Sequence, residues 1–248
     1  MILLLDVGNS RCKWQLHDPC GVVAAGAHAY TPGGGLAPDL LRDLDELPAA
    51  PDRAVACAVA APQTFNALDR HLRARWNCAL EPFVTAAAEH GVVNAYDRTQ
   101  DLGADRWAAL IGARARYAGR VLIVDCGTAV TLDVLEANGR HAGGLILPGV
   151  ALARRALSTG AHRLDEPGDG ALPDLAADTP TAIRAGTFHG LVAAIAGLRA
   201  SVEAAGGAVT AVLTGGDAQA VGAALVGDWH VDPDLVFTGM LVASGESA

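Results

Sequence analysis

The chain has few aromatic residues, few positive charges and few cysteines, and each shortage narrows what it can be. Only 4% of its 248 residues are aromatic, so a core must be built from Ala, Val, Leu and Ile, which a 51% hydrophobic content can supply. Lys and Arg number 18 against 27 Asp and Glu, giving a net charge of −9, and no basic run interrupts the acidic balance. That excludes the footprint of a nucleic-acid binder. The cysteines, Cys12, Cys20, Cys57, Cys78 and Cys126, form no CxxC pair. Neither a disulfide framework nor a zinc site is indicated, and a reducing cytoplasm fits best. The eight histidines show no HExxH spacing, and there is no GxxxxGK[ST] or GxSxG. The apolar start is broken by Asp6, and the later stretch Ala142 to Ala153 is interrupted by Gly143, Gly144, Pro148 and Gly149. A soluble protein with no membrane partner is expected.

What is present is organised around VLIVDCGTAVTLDV, Val121 to Val134. Four apolar residues run into Asp125, Cys126, Gly127 and Thr128, and apolar alternation resumes at Val130, Leu132 and Val134. The pattern predicts two antiparallel strands joined by a tight turn. Such a turn places a carboxylate, backbone N–H groups and a hydroxyl at one strand end, the parts that a phosphate and its cation require. A single copy is equally explained as a turn, because Asp and Gly are common turn residues. The pattern occurs twice, however. Ile2 to Leu5 run into Asp6, Val7, Gly8, Asn9 and Ser10, and Cys12, Trp14 and Leu16 then alternate with Lys13 and Gln15. A duplicated unit is implied.

Between the two copies, a strand is expected over Gly21 to Ala29, a surface loop at Gly33 to Gly35, a short helix over Asp39 to Leu47 and a buried strand over Ala54 to Ala60. A helix from Pro62 carries Phe65, Leu68, Leu72 and Trp76 at helical spacing. A further helix is expected from Asp105 to Tyr117, with Asp105 in its first turn, where the helix dipole favours a carboxylate. After the second copy, the glycines of GGLILPG, Gly143 to Gly149, fit either backbone approach to a ligand or close packing. Ser158 to Asp178 reads as a long loop. Thr179 and Pro180 read as a helix entry with the threonine hydroxyl capping. The strand Ala208 to Leu213 ends in Thr214, Gly215, Gly216 and Asp217, a plausible nucleotide contact.

DVGNS, LGADRW (Leu102 to Trp107), DCGTAVTLD, GGLILPG, TPTAIRAG (Thr179 to Gly186) and LTGGDA (Leu213 to Ala218), in that order, resemble a type III pantothenate kinase from Met1 to about Ala243. The resemblance implies an α/β fold of duplicated ribonuclease H-like, actin-like ATPase domains around a central cleft, divided here as residues 1–118 and 119–248. It also implies a cytoplasmic homodimer that phosphorylates pantothenate from ATP, with Mg²⁺ and a monovalent cation, K⁺ or NH₄⁺, as the first step of coenzyme A synthesis. By the same resemblance the loop Asp6, Val7, Gly8, Asn9, Ser10, Arg11, Cys12 and Lys13 meets ATP, with Asp6 orienting Mg²⁺, and Thr128 also touches ATP. Asp125 corresponds to a monovalent-cation ligand and Asp105 to the general base. Tyr96, Gly103, Ala104, Asp105, Arg106 and Thr179 correspond to the substrate site. Thr99 stands where many of that family carry proline. Two alternatives remain, a related kinase or phosphatase acting on another small molecule and a non-catalytic regulator, since the family includes accessory factors for transcription.

Overall fold

The computed structural model describes residues 1–30, 36–58, 62–160 and 170–246. They form two compact units. The first comprises Met1–Ala118, Asn138–His141 and Asp234–Ala248; the second comprises Gly119–Ala137 and Ala142–Pro233.

The first unit opens with a meander, β1 (Ile2–Val7), β2 (Arg11–Asp18) and β3 (Gly21–Ala29). After α1 (Pro38–Asp45), strand β4 (Arg53–Ala58) pairs parallel to β1, and after α2 (Pro62–Trp76), β5 (Leu80–Pro82) pairs parallel to β4. The sheet order is β3-β2-β1-β4-β5. Leu3, Leu5 and Val7 of β1 share a core with Leu40 and Leu44 of α1 and Leu68 and Leu72 of α2. The opposite face meets α3 (Ala104–Arg116) and helix α7 (Leu235–Ala243). Helices on both faces explain why β1 reads as an unbroken apolar run instead of an alternating one. Each of those buried leucines contributes about 1.5–3 kcal/mol of transfer free energy. A small hairpin, β6 (Ala88–Glu89) and β7 (Val92–Val93), and a 3₁₀ turn at Thr99–Asp101 lead into α3.

The second unit repeats the plan with β8 (Val121–Cys126), β9 (Ala129–Leu135), β10 (His141–Pro148, whose His141 belongs to the first unit), β11 (Thr210–Thr214) and β12 (His230–Val231). Their order is β10-β9-β8-β11-β12, the same as in the first sheet, with β8 antiparallel to β9 and parallel to β11. The strands β1 and β8 even share one burial pattern, four buried residues, a half-buried aspartate and a final buried residue. The duplication expected from the two hairpins is therefore present in the chain tracing. Helix α4 (Val150–Gly160), the long α5 (Thr179–Gly206) and α6 (Ala218–Ala224) complete the unit. By length and composition α5 could cross a membrane. Its Phe188, Leu191 and Ile195 instead pack with Leu122, Val124 and Leu213 in the core of the second unit.

Several sequence expectations need adjusting. The helix entry at Thr179 is capped by Asp178, whose carboxylate accepts the Thr181 N–H at 2.8 Å. A carboxylate one residue earlier has the β-region backbone that a capping residue needs, so it takes the role from Thr179. Asp133, which stands between the apolar Leu132 and Val134 of the return strand, is buried. The glycine loop at Gly33 to Gly35 lies outside the described residues, as do Val59 and Ala60 of the strand expected over Ala54 to Ala60. Of the loop expected over Ser158 to Asp178, α4 takes residues up to Gly160, residues 161–169 lie outside the description, and 170–178 carry neither helix nor strand.

Candidate active site

The aspartate turn of the first unit closes with the Gly8 N–H donating to the Arg11 carbonyl at 3.0 Å. Asp6 sits opposite Lys13 in the β1–β2 register, and the side chains of Val7 and Cys12 are buried at the base of the turn. Asn9 at its tip is exposed, and Ser10 is half-buried. Burial, with a smaller contribution from Asp6, pushes the Cys12 thiol up to about 12. It therefore stays protonated and behaves as an apolar wall, not a nucleophile.

The turn of the second unit closes with the Gly127 N–H donating to the Ala129 carbonyl at 3.1 Å. Two later segments come up against it. The Gly149 N–H donates to Thr128 O at 3.1 Å, and a side chain at Gly149 would collide with Gly127 O, its Cβ falling 2.3 Å away. A Cβ at Gly215 would fall 2.3 Å from Asp125 Oδ1 and 2.6 Å from the Cys126 carbonyl, and Gly215 has φ +93°. Glycine is thus required twice at Gly215, for conformation and for space. Beside it the Asp217 N–H donates to Cys126 O at 2.9 Å. The Cys126 thiol is likewise pushed up to about 12, by burial first and then by Asp125 and Asp217. Asp125, Thr128, Gly149 and Gly215 form one backbone-lined cluster, and what crowds Gly149 is the chain's own backbone, the close-packing alternative for that glycine. Thr179 stands apart from these contacts, exposed in the first turn of α5.

The remaining candidates gather at the start of α3. Gly103 caps the helix without a side-chain hydrogen bond, and Asp105 Oδ1 accepts the Arg106 N–H at 2.8 Å. The carboxylate so satisfies an N–H group that the helix leaves without a partner at its positive end. Arg106 is buried, and its Nη1 donates to the Tyr96 hydroxyl at 2.9 Å. Its guanidinium carbon lies 5.6 Å from the centre of the Tyr96 ring, and His141 stacks on that ring at 6.0 Å with an interplanar angle of 11°. Asn94 holds the segment: its Oδ1 accepts the Tyr96 N–H at 2.9 Å, and its amide reaches the Thr99 carbonyl at 3.4 Å. Thr99 opens a 3₁₀ turn whose Thr99 carbonyl accepts the Leu102 N–H at 3.3 Å. His141 was not singled out by sequence reasoning, because a histidine outside any ligand spacing gives no signal; its proximity to Tyr96 is a long-range contact.

Among the described residues no group of three or more His, Cys, Asp or Glu is arranged for a metal ion. A magnesium ion that keeps several of its waters needs only one or two protein carboxylates, and Asp6 is the carboxylate at the first turn that would hold one.

The type III pantothenate kinase family model matches residues 2–201. The chain belongs to this family. A type III pantothenate kinase from Halorhodospira halophila is 39% identical over 245 residues, covering 97% of this chain and 96% of the relative. One from Nitrosococcus oceani is 38% identical, covering 97% and 92%. Among solved structures, a Campylobacter jejuni protein assigned to the Baf family of transcriptional activators aligns with a TM-score of 0.59 at 22% identity, covering 98% and 97% of the two chains. The ethanolamine utilization protein EutJ from Carboxydothermus hydrogenoformans aligns at 0.54 and 13%, covering 97% and 89%. These likenesses concern the fold alone, that of duplicated ribonuclease H-like units of the actin type, as the sequence resemblance implied.

Proposed function

We propose that this type III pantothenate kinase transfers the γ-phosphoryl group of ATP to the terminal hydroxyl of pantothenate, the first step of coenzyme A synthesis. The observation that carries the reading is the doubled strand and aspartate turn, combined with the Tyr96, Asp105 and Arg106 cluster at the head of α3. A phosphatase or a bare ATPase needs the first of these but not the second.

The chemistry assigns a role to each part. Phosphoryl transfer depends mostly on positioning and on neutralising charge. In the first unit the loop Asp6 to Lys13 offers N–H groups, hydroxyls and the Lys13 ammonium to phosphate oxygens, with Asp6 on the magnesium side. In the second unit Thr128 and the glycine cradle at Gly149 and Gly215 receive the nucleotide, and Asp125 holds a monovalent cation, K⁺ or NH₄⁺. Bound magnesium would neutralise charge on the phosphates. Arg106, buried against Tyr96, offers its guanidinium to the carboxylate of pantothenate, while Gly103 and Ala104 allow close approach at the helix start. Asp105 accepts the proton as the pantothenate oxygen bonds to phosphorus and the bond to the ADP oxygen breaks. Thr179 contributes a hydroxyl to the substrate site in a homodimer, and the enzyme works in the cytoplasm on a small molecule, with neither nucleic acid nor membrane as partner. In this reading the two actin-like domains divide between residues 118 and 119, with Asn138–His141 and Asp234–Ala248 returning to the first.

A coupled ADP-release assay tests it. ADP should appear only when pantothenate is present, and turnover should need Mg²⁺ and rise with K⁺ or NH₄⁺. Pantothenate-independent ADP release, or none with all components present, would sink the proposal. A regulator without catalysis is disfavoured because Asp6 and Asp105 are both in place.

A further inference from the structure

The loop between β1 and β2 must show N–H groups, not carbonyls, to an anion, and its own hairpin bonds do not guarantee this. The bond from Gly8 N–H to Arg11 O closes the turn. The Gly8 and Ser10 carbonyls are taken instead by one residue of the neighbouring strand end. The Tyr30 hydroxyl donates to Gly8 O, and the Tyr30 backbone N–H donates to Ser10 O at 3.0 Å. Among the described residues there are no cis peptides. In a trans peptide the N–H of the next residue points opposite to the carbonyl. Drawing Gly8 O and Ser10 O toward Tyr30 therefore turns the Asn9 and Arg11 N–H groups the other way. Tyr30 is itself anchored, since His28, two residues earlier on β3, bonds Asp43 of α1 at 2.7 Å.

We propose that Tyr30 is a positioning residue for the nucleotide phosphates: it aims the Asn9 and Arg11 amides of the aspartate turn without touching the nucleotide itself. The inference rests on the reading of this turn as an ATP loop. Burial, and then Cys12 and Asp6, hold the Tyr30 phenol above its ordinary pKa, so it remains a hydrogen-bond donor throughout the neutral range. The residue lies far in sequence from any phosphate motif, and nothing in its own neighbourhood marks it.

Tyr30→Phe removes only the hydroxyl. The KM for ATP and the Kd for ATP measured by titration calorimetry should both rise about three- to tenfold, the range of one hydrogen bond. The KM for pantothenate should stay within about twofold of wild type, which a general loss of structure would not allow. ATP affinity and KM within about twofold of wild type would overturn the proposal. The wild-type enzyme supplies a second measurement should the variant fold poorly: hydrogen exchange at the Asn9 amide should slow when ATP is added, and an unchanged rate would refute the aimed-amide picture. Absence of pantothenate-dependent turnover in the wild-type protein would instead remove the kinase reading and leave the ATP-binding comparison standing.

Discussion

The helix that carries Asp105 and Arg106 lies against α7 with almost no separation, and Gly239→Ala measures how much the site depends on that. A Cβ at Gly239 would stand 1.8 Å from the Ala108 carbonyl oxygen, where side-chain carbons essentially never come closer than 3.0 Å. Helix α3 and α7 would have to part by about 1.2 Å, the difference between those two distances. Both partners are backbone inside a packed core, with Trp107, Leu110, Ile111 and Met240 fully buried, so no flexible side chain can yield. Overpacking of this kind costs about 3 kcal/mol, which for a chain of this size lowers Tm by about 6–12 °C. A displacement near 1 Å at a catalytic group costs about a hundredfold in rate, so kcat should fall by roughly that factor. Gly112→Ala meets Leu235 O at 2.2 Å across the same crossing. Because the first substitution opens the gap that the second needs, the double variant should lose less stability than the two single losses added together. Differential scanning calorimetry with steady-state kinetics decides the matter. A Gly239→Ala protein melting within about 2 °C of wild type would show that the crossing is not as tight as described.

Other consequences are as direct. Asp105→Asn should keep its melting temperature and lose at least about a hundredfold in kcat, the scale of a positioned base; near-wild-type turnover would remove Asp105 from that role. Gly215→Ala, which sets a methyl against Asp125 Oδ1 at a backbone φ of +93°, should raise the KM for ATP at least about tenfold and weaken stimulation by K⁺, read from potassium titrations; unaltered potassium dependence would argue against Asp125 as the cation ligand. His17 donates to Gln15, whose amide donates to Asp234 at 2.7 Å. Burial lowers the His17 pKa from its ordinary 6.5, and Asp234 and Asp18 oppose this only in part. The unfolded chain therefore binds a proton that the folded one refuses: the stability is fully present above about pH 6.5 and is lost as the pH falls through the folded-state value. Urea denaturation at pH 7.5 and pH 5 should show a drop that His17→Gln reduces, and equal pH slopes for the two proteins would discount the network.

Local patterns carried much of this architecture. The two apolar runs ending in Asp-x-Gly announced both aspartate turns and the duplication, because a strand buried on both faces and a tight turn of Asp and Gly leave marks within ten residues. The head of α3 was legible for a similar reason, a carboxylate in a first turn. What escaped depends on contacts between distant segments. Asp178 and Thr179 are both good caps by composition, and only backbone geometry separates them. Tyr30 and His141 act on Gly8 and Tyr96, neither of them a neighbour in sequence. Asp133 alternates as a polar residue should and is buried all the same, because a sheet can be covered on both faces. Gly215 carried a weak signal as half of a GG pair; its reason is the carboxylate that occupies the place of its missing side chain.

The return of α7 to the first unit has a consequence for synthesis. A ribosome makes residues 1–118 early, yet the face of the first sheet that α3 and α7 share, and the side of α3 around Ala108 and Gly112, stay incompletely covered until Asp234–Ala243 has been made. The second unit begins later, and all of its residues precede Asp234. The helix that carries Asp105 is thus locked by a segment made only after the whole second unit, so the first unit closes around α3 with the last of its three pieces.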